Sequence, residues 1–334
     1  MSAELPRAMA NALYQHGYLP TDSQFVASPL AGGVSSDIWR VETQKGALCI
    51  KMALPQLKVT QQWFVPVERN EYEVAWLQQV KKVAPNAVPN VVFHDVSQGV
   101  FAMDFLTPEQ YPNWKQQLLK GRVSKEFAAQ LGNVVGLIHR NTAGNQFCAE
   151  KFATDDIFYA LRPSPYFLAT AVQHPKLEKK MIALCDLLMR NKKALVHGDM
   201  SPKNILMGPA GPVILDAETA WYGDPAFDVA FCVNHLSLKA LHMPDCREEL
   251  AVSINNFIHE YRNHLQWEDE EALFERVARF LPALLLARID GKSPLEYICD
   301  VQVKERVRSF AVPRLLQPKL DLPQLLNEWF QHIQ

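Results

Sequence analysis

Apolar residues at helical spacing run from about Leu5 to Tyr18 and stop at Gly17 and Pro20, which predicts an opening helix. Short apolar runs follow at Phe25 to Leu30, Ile38 to Val41 and Ala47 to Lys51. The stretch Ala31-Gly32-Gly33-Val34-Ser35-Ser36-Asp37 and the turn Gln44-Lys45-Gly46 separate them, giving strand, glycine loop, strand, turn, strand. Val67 to Leu77 has the spacing of an amphipathic helix, with Val67, Val74 and Leu77 on one side. Val88 to Asp95 and Gly99 to Leu106 read as two more strands. After Thr107-Pro108 the pattern turns helical, over Phe127 to Arg140, Asp155 to Leu161, Tyr166 to Thr170, Leu177 to Arg190, Leu250 to Leu265, Asp269 to Ala287 and Val301 to Phe310. Within this half, Ala194 to Val196 and Val213 to Leu215 are short apolar runs ending in polar residues, read as strands that deliver carboxylates to loops.

The pattern is α+β, with a sheet-bearing first part and a mainly helical second. A chain of 334 residues can hold one large or two ordinary domains. Hydrophobic residues make up 48% and charged ones 21%, so no long disordered part is expected. A net charge of −2 offers no electrostatic footprint for a nucleic-acid backbone. Six cysteines, Cys49, Cys148, Cys185, Cys232, Cys246 and Cys299, lie scattered without a Cys-x-x-Cys pair, which argues against a zinc site or a disulfide framework. The first residues lack the layout of a secretion signal, and no stretch offers ~18 uninterrupted apolar residues. A soluble protein of the reducing cytoplasm is the expectation, with no membrane partner; nothing in the sequence sets an oligomeric state.

The chemistry concentrates in Leu195-Val196-His197-Gly198-Asp199-Met200-Ser201-Pro202-Lys203-Asn204 and in Asp216-Ala217-Glu218. A hard cation such as magnesium takes oxygen ligands, usually one or two carboxylates plus waters, and Asn204 and Asp216 are groups of that kind. Asp199 stands where a carboxylate could orient an attacking hydroxyl and accept its proton. Its spacing to Asn204, Asp-x-x-x-x-Asn, is that of the kinase catalytic loop. Lys51, ending an apolar strand, points either to solvent or into a cleft.

The string His197-Gly198-Asp199 with Asn204, then Asp216-Ala217-Glu218 and Gly223-Asp224-Pro225 with Asp228, resembles the aminoglycoside phosphotransferase and choline kinase superfamily, small-molecule relatives of protein kinases. The acidic pair Asp216 and Glu218, and the long link Met52 to Pro66 with Trp63 and Phe64, are most similar to the methylthioribose kinase branch. This resemblance implies a two-lobed protein-kinase-like fold. A small antiparallel-sheet lobe, residues 1–106, would bind the nucleotide, and a larger, mainly helical lobe, residues 107–334, would carry catalysis and the acceptor.

It further implies ATP and Mg2+ as cofactors and a small hydroxyl-bearing substrate. Asp199 takes the role of base or hydroxyl positioner, Asn204 and Asp216 of metal ligands, and Glu218 of a second metal-shell or substrate group. Lys51 becomes the phosphate anchor paired with Glu73, with Glu71 as the alternative. Gly32, Gly33 and Ser35 would cover the phosphates, and main-chain groups near Asp104 and Leu106 would hold the adenine edge. His197 orients the loop and Asp228 braces it, while His139 is structural. Trp221, Asp224 and Arg288, with Asp290, are acceptor-side candidates. Lys203 reaches the γ phosphate or a loop carboxylate, or else lies in solvent.

The loop Met200-Ser201-Pro202-Lys203 departs from the His-Thr-Gly-Ser pattern of methylthioribose kinases, so the acceptor stays open among a sugar, an amino alcohol and an aminoglycoside. Two other readings fit the same residues: a nucleotide-binding module without catalysis, and a metal-dependent hydrolase built on His197, Asp199 and Asp216.

Overall fold

The computed structural model describes residues 4–19, 25–30, 35–56, 58, 63, 65–317 and 319–334. Five strands, β1 (Ala27–Pro29), β2 (Ser36–Thr43), β3 (Gly46–Ala53), β4 (Val91–Asp95) and β5 (Val100–Asp104), form an antiparallel sheet in the order β1-β2-β3-β5-β4. Helix α1 (Arg7–Gln15) packs on one face and α2 (Arg69–Val83) on the other. Because successive strand residues point to opposite faces, Leu48 and Ile50 join Met9 and Leu13 of α1, whereas Cys49 and Lys51 face α2. That alternation puts a lysine inside. α2 continues to Val83, beyond the predicted end at Leu77, since no helix breaker intervenes before Pro85.

The rest is mainly helical: α3 (Trp114–Leu119), α4 (Lys125–Thr142), α5 (Gln146–Lys151), α6 (Asp155–Leu161), α7 (Ala169–Gln173), α8 (Glu178–Arg190), α9 (Ala226–His242), α10 (Arg247–Arg262), α11 (Glu270–Asp290), α12 (Val301–Leu315) and α13 (Leu322–His332). Two small ribbons complete it. β6 (Ala194–Val196) pairs with β9 (Trp221–Gly223), and β7 (Ile205–Gly208) with β8 (Gly211–Ile214). α9 is buried on every side from Ala226 to Leu241 and forms the axis of this lobe. Against it lies α10, itself packed on α4 at Gly132, where a Cβ would stand 2.1 Å from the Phe257 carbonyl oxygen. Only glycine permits that approach.

The sequence-based reading differs from the structure at several elements. Tyr166 to Thr170 is a π-turn, Ser164–Leu168, leading into α7. α3, α5 and α13 escape the periodicity because they are short or late, yet each is opened by a side-chain cap, from Asn113, Asn145 and Asp321 respectively. α11 runs three residues past Ala287 to Asp290, so Arg288 and Asp290 belong to its last turn and not to an interrupting loop. Among the described residues, no helix is long and apolar enough to cross a membrane.

Candidate active site

The loop after β6 is hung from the first turn of α9. Asp228 accepts the His197 N–H at 2.7 Å through Oδ2 and the Gly198 N–H at 2.8 Å through Oδ1. Its Oδ2 also lies 3.3 Å from His139 Nε2, whose Nδ1 meets the Tyr261 hydroxyl at 2.9 Å. Gly198 has φ +77°, and a Cβ there would stand 2.7 Å from Thr219 Oγ1, so the turn requires glycine. His197 is buried, with Nε2 3.0 Å from the Leu215 carbonyl and Nδ1 accepting the Asp199 N–H at 3.1 Å. These partners set one neutral tautomer, and burial lowers the proton affinity of the ring, which keeps it so. The histidine is a splint for the loop.

Asp199 then projects from a loop with little freedom. Its Oδ2 is 2.9 Å from Lys203 Nζ and 3.0 Å from Arg162 Nη2, while Asn204 Nδ2 donates to its main-chain carbonyl at 3.1 Å. Burial by itself would raise the Asp199 carboxyl, but Lys203 and Arg162 outweigh it and hold the group below the usual carboxylate range. It is therefore an ionised acceptor at neutral pH. Arg162 also donates to the Gly198 carbonyl, so one guanidinium fixes both the loop and its carboxylate.

Lys51 brings the two halves of the chain together. Its Nζ is 2.7 Å from Glu73 Oε2 and 2.5 Å from Asp216 Oδ1, although Asp216 is 165 positions further along the chain. Glu73 and Arg69 share a face of α2, one turn apart, and both turn inward. Burial lowers the proton affinity of Lys51, yet Asp216 and Glu73 raise it by more, so the ammonium persists. Asp216 responds in kind: burial would raise its carboxyl, and Lys51 and Lys203 pull it down. Its φ of +66° is unusual for a residue with a side chain. The strand stops at Ile214, and this left-handed turn aims Asp216 at Lys51.

The remaining candidates fall into place unevenly. Glu73, and not Glu71, holds Lys51. Because β8 does not continue, Glu218 does not follow Asp216 in strand register; its Oε2 accepts from Arg69 Nε at 3.0 Å. Trp221 and Asp224 are corrections, since protein partners already engage both side chains. Trp221 is enclosed, stacked 4.3 Å from Phe158, and Asp224 is wholly buried with Arg276 donating at 2.8 and 3.0 Å. The apolar company of Trp221 in β9 and the later arginine in α11 explain why sequence proximity misled. Arg288 lies inside the second lobe, its Nη1 3.2 Å from the Tyr166 hydroxyl. Ser35 is buried, and its carbonyl accepts from Leu54 N–H and from Arg69. Asp104 closes β5, its N–H donating to the Asn90 carbonyl at 3.0 Å, and Leu106 lies two residues on in the link to the second lobe. Gly32, Gly33 and Phe64 lie outside the described residues.

Arg69, Arg162, Arg276, His235 and Lys239 were not singled out by sequence. For Lys239 a signal exists: it interrupts the apolar run Leu236-Ser237-Leu238-Lys239-Ala240-Leu241.

Residues 26–249 match the model of the phosphotransferase enzyme family, APH. The chain belongs to this family. Among curated relatives of this phosphotransferase family member, it is 24% identical over 260 residues to the methylthioribose kinase of Escherichia coli O45:K1, covering 68% of this chain and 60% of that protein. To the methylthioribose kinase of Bacillus cereus (strain AH187) it is 25% identical over 256 residues, 68% and 64% of the two chains. The chain thus spans about six-tenths of the length of these relatives. In structure it is similar to an amicoumacin kinase solved with AMP-PNP, Ca2+ and Ami, with a TM-score of 0.61, 13% identity and coverage of 95% and 96% of the two chains. A Plasmodium vivax ethanolamine kinase gives a TM-score of 0.56 at 12% identity, over 98% and 87% of the chains. At this identity the likeness speaks to fold, which is kinase-like.

Proposed function

We propose that this chain is an ATP-dependent kinase of a small metabolite, transferring the γ-phosphoryl group to an acceptor hydroxyl. The observation that carries the reading is Lys51 held between Glu73 and Asp216, which joins the sheet lobe to the loops of the helical lobe at one point. Family membership and the methylthioribose kinase relatives support it further. When bound, the nucleotide supplies the transferable phosphoryl group, and a divalent ion, Mg2+ in this reading, covers part of its charge.

The residues fit such an ion. The side-chain carbonyl oxygen of Asn204 and Oδ2 of Asp216 accept no hydrogen bond among the described residues, and both are hard oxygen donors. Lys51 would anchor phosphate oxygens, with Glu73 fixing its position. Asp199 would orient the acceptor hydroxyl and take its proton, while Lys203 neutralises charge beside it. Little covalent help is required of the protein, because positioning and charge neutralisation do most of the work in phosphoryl transfer. The 1–106 and 107–334 division is the corresponding proposal for the lobes, and the acceptor is a hydroxyl-bearing small molecule. The test is ADP release from ATP with magnesium across a panel of hydroxylated metabolites. Acceptor-dependent release is expected; hydrolytic turnover of the panel without ATP would overturn the reading.

A further inference from the structure

One face of α9 carries an unusual series. Asp228 braces the loop, and His235 and Lys239 follow seven and eleven positions later on the same side, about 10 and 16 Å along the axis at 1.5 Å per residue. The charges of Arg288, Lys239, Asp199 and Lys203 all bear on the His235 ring. Contacts tie this region to the loop: the Arg162 guanidinium, paired to Asp199, lies 5.7 Å from the Tyr166 and Phe231 rings; Arg288 lies 5.7 Å from the Tyr166 ring, and His235 packs 5.1 Å from Phe231.

Lys239 is 1% exposed and Arg288 8%, and among the described residues neither is ion-paired to a carboxylate. Lys239 Nζ has the Tyr297 hydroxyl at 3.2 Å; Arg288 has the Tyr166 hydroxyl and the Ser293 carbonyl and hydroxyl, and its Nε is buried without a partner. The acid whose charge reaches both is Glu296, which lies on the surface and is paired with Lys115. Two buried cations short of counter-charge are costly in an apo protein unless an anion completes the site.

We propose that Lys239 and Arg288 form a subsite for an anionic group, a carboxylate or phosphate ester, on the hydroxyl-bearing acceptor. The inference rests on the kinase reading above and narrows its acceptor class from neutral sugars and cationic amino alcohols to hydroxylated anions. Burial, and then the charges of Lys115 and Arg288, lower the Lys239 ammonium to about 7, the condition of a cation lacking its partner.

The test uses the full chain with its nucleotide site filled by AMP-PNP and Mg2+. Thermal shift and calorimetric titration then compare D-gluconate, D-glucose and D-glucosamine, and glycerol 3-phosphate against glycerol. Gluconate or glycerol 3-phosphate should bind at least tenfold more tightly than its neutral partner, and the responding member of each pair separates carboxylate from phosphate. That preference should vanish in Lys239→Met with Arg288→Met and return in Lys239→Arg. Equal response to anionic and neutral members, no response to either anion, or a preference that survives the double substitution would overturn the proposal. Failure of AMP-PNP itself to bind would instead count against the kinase reading, so the two are told apart.

Discussion

Two buried lysines, Lys51 of β3 and Lys239 of α9, are treated differently by the chain. Lys51 is 2% exposed and has two carboxylates within 3 Å, so its charge is matched by the protein alone. Lys239 is 1% exposed and has a tyrosine hydroxyl. Burial disfavours both ammonium groups, but Asp216 and Glu73 reverse the effect at Lys51, whereas Lys115 and Arg288 add to it at Lys239. In the proposed kinase reading, the cation on the nucleotide side is matched by carboxylates before any ligand arrives, and the one on the acceptor side is not. A folded chain keeps an uncompensated buried charge only where something else is gained, and in the proposal above that gain is recognition of an anionic acceptor.

The sharpest way to probe the boundary between these regions is Asp199→Ala. Turnover should fall by about 10²–10⁴-fold while the affinity for AMP-PNP, measured by calorimetry, stays within about threefold. Loss of both together would place Asp199 in the fold and not in the transfer step. Next in size is Lys51→Met, which strands Glu73 in the interior and leaves the half-buried Asp216 without its cation. Urea unfolding should register a loss of about 3–5 kcal/mol, the usual result of removing one partner from a buried ion pair. An unchanged midpoint would mean that the cation on the nucleotide side is not matched in the sense argued above.

How much of this was legible in the sequence follows from what each feature depends on. The sheet and α2 were, because period-two and period-3.6 patterns are local, and the pleat alone sends Lys51 to the face opposite Ile50. The loop residues His197, Asp199, Asn204, Asp216 and Asp228 were, because their spacing is fixed by one continuous strand-loop-strand unit and one helix start. Arg69, Arg162 and Arg276 were not, since each cation finds its carboxylate across 149, 37 and 52 positions and nothing local marks the partner. Trp221 and Asp224 failed for the same reason in reverse: they adjoin the site in sequence, while β9 and Arg276 draw them into the core.

The smallest effect carries an opposite sign, and it is the one that tells the two lysines apart. In the folded chain Lys239 titrates near about 7, against an ordinary value of 10.5 when unfolded. Between those values the unfolded chain binds the extra proton, so the stability of the parent protein rises with pH across that window and is lower below it. Lys239→Met removes the charge altogether and fills similar space with an apolar stem. The full shift corresponds to about 5 kcal/mol, part of it offset by the Tyr297 hydroxyl losing its partner, so the variant should be more stable than the parent by about 1–3 kcal/mol at pH 6, and its advantage should shrink steadily as pH approaches 10. Chemical denaturation at several pH values reads the difference directly. A variant less stable than the parent at pH 6 would mean that Lys239 is already compensated by its surroundings, and the contrast with Lys51 would collapse.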